Sequence, residues 1–225
     1  MKTLLFSFFV IISLLFTTVN ESKATSWCEQ NGGTVYVTTL TINGCEVVVH
    51  YCWTNINGTG EAYFEILNIY VKAPCSNNIL IQNYIISTID RHIMLNHAGS
   101  GLVRCNPNNP NWGTVVHTSR SDCYKYQRAG YLSYNYNHSG GYSIVPCQSE
   151  SLCAIAYSAC YDFNPITGSP EITVRCNIPI TQEGESTYGD NCNPNANSVF
   201  MSFWTNPFMT ESECVMLDCY CIPYP

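Results

Sequence analysis

Asn43-Gly44 is the feature that most narrows what this chain can become. It separates two runs rich in β-branched and aromatic side chains, Thr34 to Ile42 and Cys45 to Trp53. Asn followed by Gly tolerates the two positive φ angles of a type I′ turn, whose twist matches that of paired strands. A two-residue loop then sets the register: Ile42 faces Cys45, Leu40 faces Val47, Thr38 faces Val49 and Tyr36 faces Tyr51. That largely apolar row belongs toward a core, while Thr39, Thr41, Glu46 and His50 share the other face, as in a sheet solvated on one side. Cys45 and Cys52 are seven residues apart. A regular strand points them to opposite faces, Cys45 to the core and Cys52 to the solvated side, so they should not bond each other.

A second turn, Asn57-Gly58-Thr59-Gly60, leads into the aromatic and Ile-rich run Glu61 to Lys72. Residues 34–72 therefore read as a three-stranded meander. After Pro74-Cys75 the period changes: Ile81, Tyr84, Ile85, Ile89 and Ile93 recur at three-to-four spacing and predict an amphipathic helix over about 77–97. Ser76 or Asn77 can cap its start and Gly99 can close its end. An Asn- and Pro-rich loop, Asn106 to Asn111, follows. Strand signals resume over Trp112 to Thr118 and Asp122 to Tyr136, and a hairpin is expected from Leu152 to Phe163, a turn at Asn164 to Pro170, and Glu171 to Ile178. Beyond Ile180 the chain is polar and turn-rich, and Thr210 with Glu213 has the spacing of a capping box for a short helix to about Cys219.

The expected fold is α+β but mostly β: an antiparallel sheet of meander and hairpins with one packed amphipathic helix, rich in disulfides. The N-terminus has Lys2, an apolar run from Leu4 to Val19, and Ser22-Lys23-Ala24, the pattern of a secretory signal peptide over residues 1–24. Its apolar run falls short of the roughly 20 residues a membrane-spanning helix needs. Residues 25–180 then form the disulfide-stabilised domain, and 181–225 a polar loop and Cys-rich segment packed on it.

All 14 cysteines follow Ala24: Cys28, Cys45, Cys52, Cys75, Cys105, Cys123, Cys147, Cys153, Cys160, Cys176, Cys192, Cys214, Cys219 and Cys221. An even, high count behind a signal sequence implies disulfides and an oxidising compartment, secreted or at the cell surface. Structural zinc sites use Cys-x2-Cys pairs, and none exists here. Cys219 and Cys221 are too close in sequence to bond each other without strain. No metal and no cofactor is expected.

Loss of residues 1–24 removes Lys2, Lys23 and Glu21, taking 9 basic and 16 acidic residues to seven and fifteen, a net charge of −8. The remaining cations, Lys72, Arg91, Arg104, Arg120, Lys125, Arg128 and Arg175, are scattered, which argues against nucleic acid or an anionic membrane as partner. His92 and His97 are five residues apart and point to different sides of a helix, unlike the four-residue spacing of a zinc helix. Gly99-Ser100-Gly101 lacks the surroundings of a nucleophile elbow. His50 and His117 could meet an acid only through tertiary structure. Glu46, Glu61, Glu65, Asp122, Asp162 and Glu171 lie in or near strands, as carboxylates for glycoside hydrolysis would, and as acids on any β protein do.

Tyrosines concentrate at Tyr124, Tyr126, Tyr131, Tyr134, Tyr136 and Tyr142. At two-residue spacing, Tyr124 with Tyr126 and Tyr134 with Tyr136 each place adjacent rings on one sheet face. With Trp112 they are the candidate ligand-binding residues for a glycan or a surface protein. The competing reading is that tyrosine has high β propensity and packs half-buried. Asn57-Gly58-Thr59 and Asn137-His138-Ser139 match the glycosylation acceptor and mark exposed turns.

The order of three strands, a helix, an Asn- and Pro-rich loop to Trp112 and Cys-bearing hairpins loosely resembles small cysteine-rich secreted bacterial proteins of unassigned activity, over residues 34–178. The resemblance implies no function. The expectation is a secreted or cell-surface, non-enzymatic binding, adhesion or structural module. An alternative is a secreted hydrolase, which requires at least two of Glu46, His50, Glu65, His117 and Asp122 within hydrogen-bond reach in a concave cluster. A third is an inhibitor or effector presenting the Asn106 to Asn111 loop.

Overall fold

The computed structural model describes residues 26–56, 59–73, 83–106, 113–121, 123–128, 141–147, 152–176, 192, 194–206 and 208–216. The expected signal segment therefore lies outside the described residues, as do the Ser76 and Asn77 caps, both glycosylation acceptor asparagines, Asp122, Trp112, Tyr131, Tyr134 and Tyr136.

The opening hairpin forms as its turn chemistry dictates. Strands β1 (Thr34–Ile42) and β2 (Cys45–Ile56) pair antiparallel with Ile42 opposite Cys45 and Tyr36 opposite Tyr51. Asn43 and Gly44 take φ 51° and 79°. Strand β3 (Glu61–Val71) completes the meander, with a register shift against β2 between His50 and Tyr51. Helix α2 (Asn83–Asn96) follows, after a short first helix α1 (Trp27–Gln30) that precedes β1. Ser26 and Glu29 close a reciprocal capping box on α1.

The sheet is mixed rather than antiparallel. Helix α2 carries the chain back to the end where β3 began, so β4 (Thr114–Ser121) pairs parallel with β3. Strand β5 (Cys123–Arg128) continues from β4 almost without interruption, but β6 (Tyr142–Pro146) lies between it and β3. β3 thus holds β4 along residues 62–64 and β6 along residues 69–71 of the same edge. The hairpin β7 (Leu152–Phe163) and β8 (Pro170–Cys176) appears where the sequence predicts it.

A third helix, α3 (Ala196–Thr205), was not expected. In its turn, the helix expected from Thr210 to Cys219 is absent over residues 210–216. That stretch instead runs along the outer edge of β5, ending in β9 (Val215–Met216). Tyr126 N–H donates to Ser212 Oγ and Ser212 N–H to the Tyr126 carbonyl, both at 2.9 Å. Satisfying a strand edge outweighs a local capping box.

One face of the nine-stranded sheet carries the main core. Val47, Val49, Tyr51 and Trp53 of β2, Phe64 and Ile69 of β3, Val116 of β4 and Ile155 and Tyr157 of β7 meet Ile85, Ile86, Ile89 and Ile93 of α2. Phe200 and Phe203 of α3 pack beside them on Tyr126 and Tyr142. Gly99, at φ 82°, ends α2 as its position suggests.

The second face is not simply solvated. His50 is 6% exposed and Cys52 0%, against the expectation that both face water. For Cys52 the reason is α1: Cys28 bonds Cys52, and the pair packs with Tyr63 into a small second cluster. Cys45 is itself disulfide-bonded and buried on the core face, so the two hairpin cysteines tie opposite faces as their spacing requires. Cys105–Cys160, Cys123–Cys192 and Cys147–Cys214 are the other bonds among the described residues, where no cysteine is free. No described helix is long and apolar enough to cross a membrane.

Candidate functional site

The second face collects the chemistry. Side chains alternate along β3, so Glu61, Tyr63 and Glu65 point to the face opposite Phe64 and the main core. Parallel pairing sets His117 and Ser119 of β4 beside them. His117 Nε2 lies 3.2 Å from Glu61 Oε2, with both side chains about one-third exposed. The Tyr63 hydroxyl bonds Ser119 Oγ. The result is a Glu-His pair and a Tyr-Ser pair on neighbouring rungs.

Helix α1 supplies an aromatic wall. Trp27 meets Tyr63 edge to face at 4.6 Å between centroids and is 51% exposed. The capping box and the Cys28–Cys52 bond hold α1 in place, and Gly33 allows it: a Cβ there would sit 2.4 Å from both sulfurs. Glu65 lies under α1, where burial raises its carboxyl above the ordinary range despite contacts with the Cys28 N–H and Ser26.

Of the residues expected to form a hydrolase cluster, Asp122 lies outside the described residues, and Glu46, Glu65 and His117 each meet a different partner. Glu46 pairs with Lys72 at the far end of the hairpin, and His50 is buried. His117 finds Glu61, outside the expected set. Glu61 and Glu65 are four residues apart on one strand, about 13 Å, whereas paired glycosidase carboxyls stand about 5–9.5 Å apart. Their side chains also diverge, Glu61 toward His117 and Glu65 toward α1. Asp162 pairs with Arg104 and Glu171 accepts from Asn164, both on the β7–β8 hairpin away from this row.

The candidate tyrosines divide. Tyr124 and Tyr126 do share a face, but it is the core face, and they are 2% and 0% exposed. The expected display of these two rings to a ligand is corrected: both are buried, and α3 stacks Phe203 on Tyr126 and sets Phe200 edge-on to it. Trp112, Tyr134 and Tyr136 lie outside the described residues.

Trp27 escaped sequence reasoning because its exposure depends on where the disulfide docks α1. His92 and His97 serve the core side. His92 Nε2 lies 3.0 Å from Thr38 Oγ1, and His97 stacks on Trp53 at 3.9 Å with the Tyr51 hydroxyl 3.2 Å from its Nε2. Among the described residues no group of three or more His, Cys, Asp or Glu is placed to hold a metal ion.

The chain matches no family model, no curated protein and no solved structure.

Proposed function

We propose that this chain is a secreted or cell-surface, non-enzymatic binding module whose second sheet face takes a glycan. The observation that carries the reading is the half-exposed Trp27 ring, fixed against Tyr63 beside the Glu61–His117 pair. A rigid ring offers its face to a sugar's C–H groups, while carboxylate, imidazole and hydroxyl groups offer directed hydrogen bonds to its hydroxyls. Disulfides that tie helix to sheet and strand to strand support an oxidising compartment, and the signal-like first 24 residues agree with export.

The test is binding of the oxidised protein to an array of glycans and surface proteins, with Trp27→Ala as the paired variant. Trp27 is exposed, so its loss leaves the core intact. Retention on glycan spots that falls at least about tenfold, or 1.4 kcal/mol, in Trp27→Ala is the expected outcome. No retention above background, or retention indifferent to Trp27, removes the reading; retention on protein spots alone moves it to a protein ligand.

A hydrolase is the second reading, favoured by the 3.2 Å contact between His117 and Glu61, which would orient the imidazole as a general base. Turnover of a glycoside or ester panel, abolished in His117→Ala, would establish it over simple binding.

A further inference from the structure

Among the described strands the sheet ends in three edges, and they are not treated alike. Strand β8 opens with Pro170 and carries Glu171 and Arg175, and Arg91 of α2 donates to its Ile172 carbonyl at 3.1 Å. Strand β9 is two residues long. Charges, proline and brevity are the usual means of keeping an edge from pairing with another chain. Strand β1 has none of them. Its 9 residues include no charge, proline or glycine, and its register with β2 is unbroken. Val35, Tyr36 and Val37 are 42%, 39% and 50% exposed.

The hairpin geometry decides which backbone groups that edge presents. Ile42 and Cys45 flank the two-residue turn as a hydrogen-bonded pair, so Ile42, Leu40, Thr38 and Tyr36 direct their N–H and C=O toward β2. Thr41, Thr39, Val37 and Val35 direct theirs outward. None of these outward groups bonds another backbone group among the described residues.

We propose that β1 is a self-association edge, at which two copies of this chain pair β1 with β1 antiparallel about a two-fold axis at Thr38. A second copy fits for two reasons. The chain carries a net charge of −7, yet this hairpin's only carboxylate, Glu46, is neutralised by Lys72, so two acidic copies approach here without repulsion. The strand is also self-complementary in that register. Val37 stands opposite Thr39 of the other copy and Val35 opposite Thr41, using every outward backbone group, and on the other face Tyr36 meets Leu40. Because the axis is perpendicular to the sheet, both second faces come to lie on the same side of one continuous sheet.

Sedimentation velocity of the oxidised chain, from low micromolar to hundreds of micromolar, tests this. The expected result is a shift to twice the chain mass with rising concentration. V37K/T39K sets lysine opposite lysine across the axis and abolishes the shift. V37K/T39E sets lysine opposite glutamate in the same register and restores it, with far-UV circular dichroism confirming the fold of each. A wild type that stays monomeric, a dimer that survives V37K/T39K, or one that V37K/T39E fails to restore overturns the proposal.

Discussion

His97 shows how one side chain becomes part of a fold. It follows the last turn of α2, and its carbonyl accepts from the N–H groups of Ser100, Gly101 and Leu102. That wrap brings Gly101 against Trp53, where a Cβ would come within 2.7 Å of the indole. The imidazole lies parallel to Trp53 and edge-on to Tyr36 and Tyr51. Burial among these rings, whose titratable members are the two phenols, lowers its pKa from 6.5 to about 4. The folded state therefore favours neutral His97. Its contribution is complete above the unfolded value of 6.5 and is lost as pH falls toward 4, a loss of order 2 kcal/mol. His92, also lowered by burial, acts in the same sense. Glu65 acts oppositely, because its raised carboxyl is relieved by protonation. Denaturant midpoints at pH 7 and pH 4 should therefore fall less in His97→Phe than in wild type, by about that amount. Equal falls would show that folding leaves the His97 pKa unshifted.

At the scale of elements, α3 illustrates a helix specified by what it covers. Val199, Phe200 and Phe203 fall on one side and are 5%, 1% and 0% exposed. Their spacing is readable in a polar, turn-rich stretch, but period alone does not say whether the aromatic row on β5 is a display or a socket. Arg128 of β5 secures the helix end. Its Nη2 donates to the Phe203 and Asn206 carbonyls at 2.9 and 3.1 Å, its Nε to Met209 at 2.9 Å, and its guanidinium lies 4.8 Å from the Phe203 ring. A cation at a helix C-terminus also opposes the negative end of the helix dipole. Arg128→Lys keeps the charge and loses the fork. It should cost about 1–3 kcal/mol and speed amide exchange in α3 before the rest of the sheet. Unchanged exchange there would mean that apolar packing alone holds the helix.

For the whole molecule, the sheet joins segments far apart in sequence, and disulfides fasten the same segments. Cys147–Cys214 and Cys123–Cys192 span 67 and 69 residues and bind the C-terminal part of the chain to β5 and the end of β6. Closing a loop of that size restricts the unfolded chain by about 4 kcal/mol. C147S/C214S should lower unfolding free energy by about that amount in equilibrium denaturation, with β9 the first element lost. A loss below about 1 kcal/mol would indicate that strand pairing suffices.

The sequence alone determined the local structure: the Asn43-Gly44 hairpin and its register, the meander, the β7–β8 hairpin, the Ile-faced helix, and the divergence of Cys45 and Cys52. Each rests on turn chemistry or side-chain period, which act between near neighbours. Only the tertiary structure decided that β4 pairs parallel to β3, that Thr210 onward extends the sheet, that His50 is buried and Cys52 covered by α1, and that Tyr124 and Tyr126 face inward. Only it brought His117 to Glu61 and Trp27 to Tyr63. Those outcomes depend on which distant surface reaches a strand's edge or face, and period alone states that a face is shared without stating what covers it.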